Sequence, residues 1–447
     1  MIEQNKQNKL TFWNVFISSA FIIGCFQISY LVENRSDIWR IWIGLIYMFL
    51  AYFVILIKKN NDYHFWQKNF SVYSARFILL FSFPLLSDDI YRFIWDGSGI
   101  LNGINPFAFT PQELMQNKPA WLDELLFQKM NSPNYFSVYP PINQLAFVLS
   151  ALPGKGNLLA SIIILRIIIL VFDIGNIYLI KKLLKFYNKD EKLVFWYALN
   201  PLVIIEFTGN LHFEAVMIFF TLLSVWFLVS NKWVFAAITL GLAVCAKLLP
   251  LIFLPLFIKH IGWKKSIYAV LICGITILIL FLPFIYNLEL AKNFISSIQL
   301  YYGKFEFNGS VYQILKAVGW KWLGYNPIAY TSKILLTLTL IGFLITYLKS
   351  KNIFEGIFWL MFIYTIFGAI VHPWYILILV AFTPFVKWRF GILWSVLICL
   401  SYYTYRVIPY QENINLVILE YSLLVFYIIL EVYKQYFSSK KVYKLGI

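Results

Sequence analysis

Apolar runs of roughly membrane-spanning length recur along nearly the whole chain, and no other feature limits its fold as strongly. They lie near 12–32, 41–57, 71–86, 158–180, 193–205, 212–230, 233–258, 266–286, 330–348, 353–371, 373–387, 390–406 and 414–435. A helix needs about 20 such residues to cross the hydrocarbon core of a bilayer. Of the 447 residues, 61% are hydrophobic and 13% charged, whereas soluble domains carry about 25% charge. A water-exposed surface cannot be built from this mixture. The expected fold is an all-α polytopic membrane protein with about 12–14 transmembrane helices, read as one domain over residues 1–447.

The charge pattern orients those helices. The net charge of +16 points to anionic lipid headgroups and to basic cytoplasmic loops rather than to nucleic acid. The basic groups are Lys58, Lys59 and Lys68, then Lys181, Lys182, Lys185, Lys189 and Lys192, then Lys259, Lys264 and Lys265. Lys349, Lys351, Lys387, Arg389 and the Lys434–Lys444 tail complete the set. The first run is long for a signal sequence and has no small-residue cleavage site, so it reads as an uncleaved span with its N-terminus inside. The third span then emerges near Leu86, and the stretch 87–157 forms one long extracytoplasmic loop. Within it, YPPINQLAFVLSALPGKGN is too short to cross and reads as a juxtamembrane or re-entrant helix starting at Pro140–Pro141. A second outer loop covers about 287–329. The run 233–258 reads as two half-length pieces broken around Lys247 and Pro250, a pattern found where helices line a cavity. Cys25, Cys245, Cys273 and Cys399 lie singly inside apolar runs, without metal-type spacing.

Four places gather polar chemistry. PLLSDDIYRFIWDG puts Asp88, Asp89, Arg92 and Asp96 at the expected bilayer edge. Adjacent carboxylates on a helix point about 100° apart, so one faces a site while the other caps the helix or pairs. GNLHFEA puts Asn210, His212 and Glu214 into an apolar run, with Glu206 one turn earlier. It reads either as an interfacial polar turn or as part of a site. The HxE spacing alone holds no metal firmly, and no third ligand is evident. Lys247 either snorkels at a helix break or contacts a phosphate. His372 opens HPWY, either in an interfacial aromatic belt or beside an anion at the following helix N-terminus. GxxxxGK[ST], GxGxxG after a strand, GxSxG and HExxH are absent, which argues against soluble nucleotide chemistry and hydride transfer.

The series SDDIYRFIWDG, NGINPF, YPP, GNLHFEA, AKLLPLIFLP and HPWY, in this order, resembles the bacterial GT-C-type integral-membrane glycosyltransferases. It resembles in particular the polyprenol-phosphate-mannose-dependent mannosyltransferase group. The resemblance implies an inverting transfer of a hexose, mannose above all, from a polyprenyl-phosphate donor to an extracytoplasmic acceptor hydroxyl. The acceptor is a glycolipid, a glycan or a protein. No metal or other cofactor is implied. Asp89 is implied as the general base, with Asp88 as the other catalytic candidate. His372 and Lys247 become ligands of the donor phosphate. Arg92, Asp96, Asn105, Tyr139, Asn210, His212, Glu214 and Tyr375 line the sugar and acceptor pocket. GNLHFEA departs from the family's more usual His-Asn-Asp, so the duty of Glu214 is the least fixed. The protein is expected in the bacterial inner membrane with its site on the extracytoplasmic side. The alternative reading is a transporter or flippase of a lipid-linked sugar, but repeated halves and midplane charges are not evident.

Overall fold

The computed structural model describes residues 2–57, 65–117, 119–303 and 305–444, so Lys58 and Lys59 lie outside the described residues. These residues form helices and no strands, in two compact units, Met1–Phe305 and Glu306–Ile447.

The first unit opens with α1 (Ile2–Phe26), α2 (Ile38–Ile57) and α3 (Phe65–Leu79). The polar stretch 87–157 carries four shorter helices: α4 (Asp89–Leu101), α5 (Pro111–Asn117), α6 (Glu124–Lys129) and α7 (Pro141–Ala151). The 11 residues of α7 extend about 16 Å at 1.5 Å per residue, short of the roughly 30 Å hydrocarbon core. Pro141 sits at its start, where a missing N–H is harmless. The long helix α8 (Leu158–Phe186) follows, then the short turns α9 (Phe195–Ala198) and α10 (Pro201–Val203). The unit closes with α11 (Glu214–Val229), α12 (Trp233–Ala246), α13 (Leu256–Phe281) and α14 (Leu288–Gly303).

The second unit contains α15 (Ser310–Leu323), α16 (Ile328–Lys349), α17 (Ile353–Ile366), the short pieces α18 (Leu377–Phe382) and α19 (Phe390–Leu397), and α20 (Ile414–Lys444). Its core gathers Leu377–Phe382, Trp394 and Leu424.

Among the described residues, six helices are long and apolar enough to cross a membrane, or seven if Pro201–Gly209 and Glu214–Val229 count as one bent span. The protein is thus an all-α polytopic membrane protein, but its long helices are fewer than the apolar runs of the sequence. Several runs form short, interrupted pieces instead. The run 193–205 becomes a 3₁₀ turn, α9, α10 and the start of a π-helical segment, Ile204–Gly209. The run 373–387 is split into Pro373–Ile376, α18 and Thr383–Phe385. Proline near the start of both 3₁₀ pieces removes a backbone donor that a continuous helix requires. The run 390–406 tightens after α19 into 3₁₀ geometry. The break expected near Lys247 is present, between α12 and the 3₁₀ turn Leu249–Phe253. A second break falls at Gly262, whose φ of 76° is readily reached by glycine alone.

The α4–α7 crossing positions the site. Gly97 packs so tightly on α7 that a Cβ there would stand 2.1 Å from the carbonyl oxygen of Phe147. The obstacle is backbone, so it cannot rotate away. Gly97→Ala is expected to destabilise the protein by about 1–3 kcal/mol, read as a lower thermal midpoint in detergent; an unchanged midpoint contradicts the crossing.

Candidate functional site

The chain leaves α3 shortly before Pro84, and a remote cation takes the carbonyls left unpaired. Arg166, fully buried on α8, donates to four main-chain carbonyls. They are Leu80 at 3.0 Å, Ser82 at 2.5 Å, Thr208 at 2.7 Å and Gly209 at 3.0 Å. A helix continuing through residues 80–86 would leave the Leu80 carbonyl without a donor, because Pro84 has no N–H and clashes with that carbonyl. The expected span 71–86 therefore ends at Leu79, and residues 80–88 are irregular except for isolated turns.

That irregular stretch delivers the two acids to different partners. Asp88 occupies the N-cap position of α4 but makes no capping bond through its side chain. Its carboxylate instead accepts from Arg35 Nη2 at 2.5 Å. Ser87 Oγ accepts from the Asp89 N–H at 3.3 Å. Asp89 lies in the first turn of α4, where the helix dipole favours negative charge, and its Oδ1 accepts from Asn131 Nδ2 at 3.0 Å. The side chains thus diverge, as their spacing requires.

A second interruption lies in the same unit. The π-helical segment Ile204–Gly209 and α11 meet at 113°. Leu211 turns the chain with φ 66°, strained for a residue with a branched side chain. Asn210 Oδ1 accepts from the Leu86 N–H at 3.1 Å, tying this break to the run before Asp88. Glu206, fully buried, approaches His212 Nε2 at 3.1 Å. Glu214 opens α11 and forms an ion pair with Lys247, which ends α12.

Other residues expected in the pocket hold the scaffold. Arg92 Nε pairs with Asp96 Oδ1 at 2.7 Å, both buried, and Arg92 Nη1 donates to the carbonyls of Ser132 and Tyr135, each at 2.9 Å. Gln144 of α7 donates to Ser137 Oγ at 2.8 Å and reaches Asp96 Oδ2 at 3.5 Å. This network fastens α4, the 132–139 segment and α7. Asn105 accepts from the Phe107 N–H at 2.9 Å and donates to the Phe284 carbonyl at 2.8 Å. Tyr139 stands edge-on to Phe93 and Phe147. Arg92, Asp96, Asn105 and Tyr139 thus each contact neighbouring protein groups.

In the second unit, His372 stacks on Trp374 with centroids 4.3 Å apart and on Phe307 at 4.6 Å, while Tyr375 meets it edge-on. A separate polar cluster surrounds Asn308. Its side chain donates to Glu420, its N–H to Glu412, and its carbonyl accepts from Tyr421. Nearby, burial pushes the Glu306 carboxyl up, but the Lys316 ammonium 2.6 Å away and the Tyr312 hydroxyl outweigh it, so it titrates below its ordinary range. Among the described residues, no three His, Cys, Asp or Glu side chains converge as metal ligands do.

A family model described as alpha-(1→6)-mannopyranosyltransferase, N-terminal domain, matches residues 26–262, more than half of the chain. The chain belongs to this mannosyltransferase family. It is a membrane glycosyltransferase of GT-C type. No curated protein matches the chain. The matched part of the mannosyltransferase includes Asp88, Asp89, Asn210, His212, Glu214 and Lys247, whereas His372 and Tyr375 lie beyond it.

The sequence reading of this mannosyltransferase missed its buried charges. Arg76 Nε pairs with Asp173 Oδ2 at 2.7 Å, and Tyr197 donates to Asp173 Oδ1 at 2.6 Å. Arg166, Asp173 and Asn176 are fully buried on α8. Their spacings of seven and three place them on one helical face. That face, inside an otherwise apolar run, was the available signal. Arg35 had no local signal; only the fold brings it to Asp88.

Proposed function

We propose that the protein transfers mannose from a polyprenyl-phosphate donor to an acceptor hydroxyl, forming an α-(1→6) linkage with inversion at the anomeric carbon. The observation that carries this reading is the placement of Asp89 in the first turn of α4, in the same unit as the Glu214–Lys247 pair, in a chain of this family. The acceptor O–H loses its proton to Asp89 as its oxygen bonds to C1. The bond from C1 to the phosphate oxygen breaks, and its electron pair leaves with polyprenyl phosphate. Phosphate stabilised by cationic contacts is an adequate leaving group, so the step is proposed without a metal.

Lys247 is proposed as a phosphate contact. His372 carries the same duty on the resemblance alone. Asn210, His212, Glu214 and Tyr375 are proposed to shape the sugar and acceptor pocket. The acceptor is a glycolipid, a glycan or a protein. The membrane is proposed to be the bacterial inner membrane. The basic segments, read by the positive-inside rule, favour the extracytoplasmic face for the start of α4, where the lipid anchor would hold a donor sugar at headgroup depth.

Purified protein in detergent, given labelled polyprenyl-phosphate mannose and a mannosyl acceptor, is expected to form a new α-linked product at a rate EDTA does not change. Absence of product, together with movement of lipid-linked sugar across proteoliposomes, would establish a flippase instead.

A further inference from the structure

In the second unit, α15 carries its polarity the wrong way round for a helix in water. Its polar side chains at Ser310, Gln313 and Lys316 are turned onto the protein. Ser310 Oγ donates to the Ile366 carbonyl at 2.6 Å, Gln313 Nε2 to Glu412 Oε2 at 2.8 Å, and Lys316 Nζ pairs with Glu306 Oε1 at 2.6 Å. Tyr312, fully buried, donates its hydroxyl to Glu306. Gly319 packs on Pro327, whose Cγ would stand 2.6 Å from an added Cβ. The other side of the helix is apolar and bare. Ile314, Val318 and Trp322 are spaced i, i+4, i+8, which stacks them along one face. They are 66%, 54% and 83% exposed. Trp320 and Leu323 at the end of the helix, and Tyr325 just past it, are exposed as well. A helix washed by water shows the reverse, with its apolar stripe against the core.

We propose that α15 lies in the headgroup–acyl boundary of the bilayer, along the membrane plane, with Ile314, Val318 and Trp322 inserted among the lipids. Its 14 residues extend about 21 Å at 1.5 Å per residue, short of the roughly 30 Å core, so α15 does not cross. Its continuity with a span identifies what covers the bare face. After the left-handed Gly324 cap, the chain runs directly into α16, a helix long and apolar enough to cross. Tyr330, Ile334 and Ile341 of α16 are exposed in the same manner, so lipid contact begins within a few residues of α15. Trp320, Trp322, Tyr325 and Tyr330 gather where the two helices join, and Trp and Tyr favour the membrane–water boundary. Lys321, exposed beside the apolar face, reaches anionic headgroups while its stem covers apolar surface. A polar face with lysines opposite an apolar face with tryptophan is the pattern of an interfacial helix. Lys349 and Lys351 at the far end of α16 favour the cytoplasmic side, which puts α15 in the extracytoplasmic leaflet. The lipid contact also sets the depth of Glu306 and Glu412, bonded to its polar face.

Nitroxide labels on the full chain, reconstituted in phosphatidylethanolamine–phosphatidylglycerol vesicles, read these surroundings directly. They are placed singly at Ile314→Cys, Val318→Cys, Trp322→Cys and Lys321→Cys, with Leu340→Cys inside α16 as the depth reference. Cys25, Cys245, Cys273 and Cys399 are buried, and the unsubstituted protein taken through the same labelling is the blank. Each replaced side chain is exposed, so the substitutions leave the packed face untouched. Collisions with oxygen, which concentrates among acyl chains, are compared with collisions with a water-soluble nickel chelate. The oxygen-to-nickel ratio is expected to be high at the first three positions and lower at Lys321→Cys, with all four shallower than Leu340→Cys. Nickel-dominated collisions at the first three positions put the face in water and overturn the proposal. Protection from both reagents there marks a protein contact, such as a second copy of the chain, and overturns it as well. Depths equal to that at Leu340→Cys sink the helix into hydrocarbon and overturn its interfacial position. An impermeant thiol reagent that reaches Lys321→Cys from the cytoplasmic side alone overturns the leaflet.

Discussion

Asp89→Asn is expected to lower kcat by about 10²–10⁴-fold, the usual contribution of a general base, while donor affinity stays close to that of the wild type. The substitution is nearly isosteric. An amide oxygen can still accept from Asn131 Nδ2, the bond Asp89 Oδ1 accepts at 3.0 Å, so the start of α4 has no reason to move. Only the capacity to take a proton is lost. Asp88→Asn is the matched control. It weakens the 2.5 Å contact with Arg35 between side chains 18% and 28% exposed, and a pair that exposed contributes little. Initial rates for both variants, with binding of a non-transferable donor analogue, make the comparison. Wild-type turnover by Asp89→Asn removes Asp89 as the base; a larger loss in Asp88→Asn reverses the assignment of the two acids.

The difference between these two acids shows how far the sequence could be read. That neighbouring carboxylates diverge follows from helix geometry, and so does the prospect that one of them meets a partner. The partner's identity does not follow, because Arg35 lies 53 residues away. The helices divide in the same way. The runs 41–57 and 330–348 nearly coincide with Ile38–Ile57 and Ile328–Lys349, since an uninterrupted apolar run in lipid must satisfy its own backbone. The run 71–86 ends early at Leu79 because Pro84 cannot donate to the Leu80 carbonyl; only the taker of that carbonyl, Arg166, 86 residues further on, is out of the sequence's reach. A break near Lys247 was legible from a proline and a charge. The split of the run 193–230 at EFTGNLHFEA was legible as well, but the π-helical geometry of 204–209 was not, since it depends on contacts from α8 and from Leu86. Arg92 and Asp96 stood out as charges beside a membrane, but charge alone does not distinguish a pocket from a scaffold. Their four-residue spacing suits a pair with each other, which is how they are found.

Lys247 separates those two possibilities most sharply, because it has a structural partner and a proposed catalytic duty. Its side chain is 34% exposed, whereas that of Glu214 is only 4% exposed. Lys247→Met removes the ammonium but leaves the stem, and it strands a buried carboxylate. The stability loss is expected to be about 1–3 kcal/mol, the cost of leaving such a group unsatisfied. Transfer is expected to fall by about 10²–10³-fold, the scale of one lost contact to developing charge. Glu214→Gln combined with Lys247→Met tells the two effects apart. The neutral amide no longer needs a cation, so the thermal midpoint should recover most of the loss. The phosphate still lacks its contact, so transfer should remain low. If activity returns with stability, Lys247 serves only to neutralise Glu214. If the double variant is stable and turns over normally at saturating donor but with a raised donor KM, Lys247 binds the phosphate equally in the ground and transition states. A stable double variant with low kcat places the lysine's charge on the leaving group as the anomeric bond breaks.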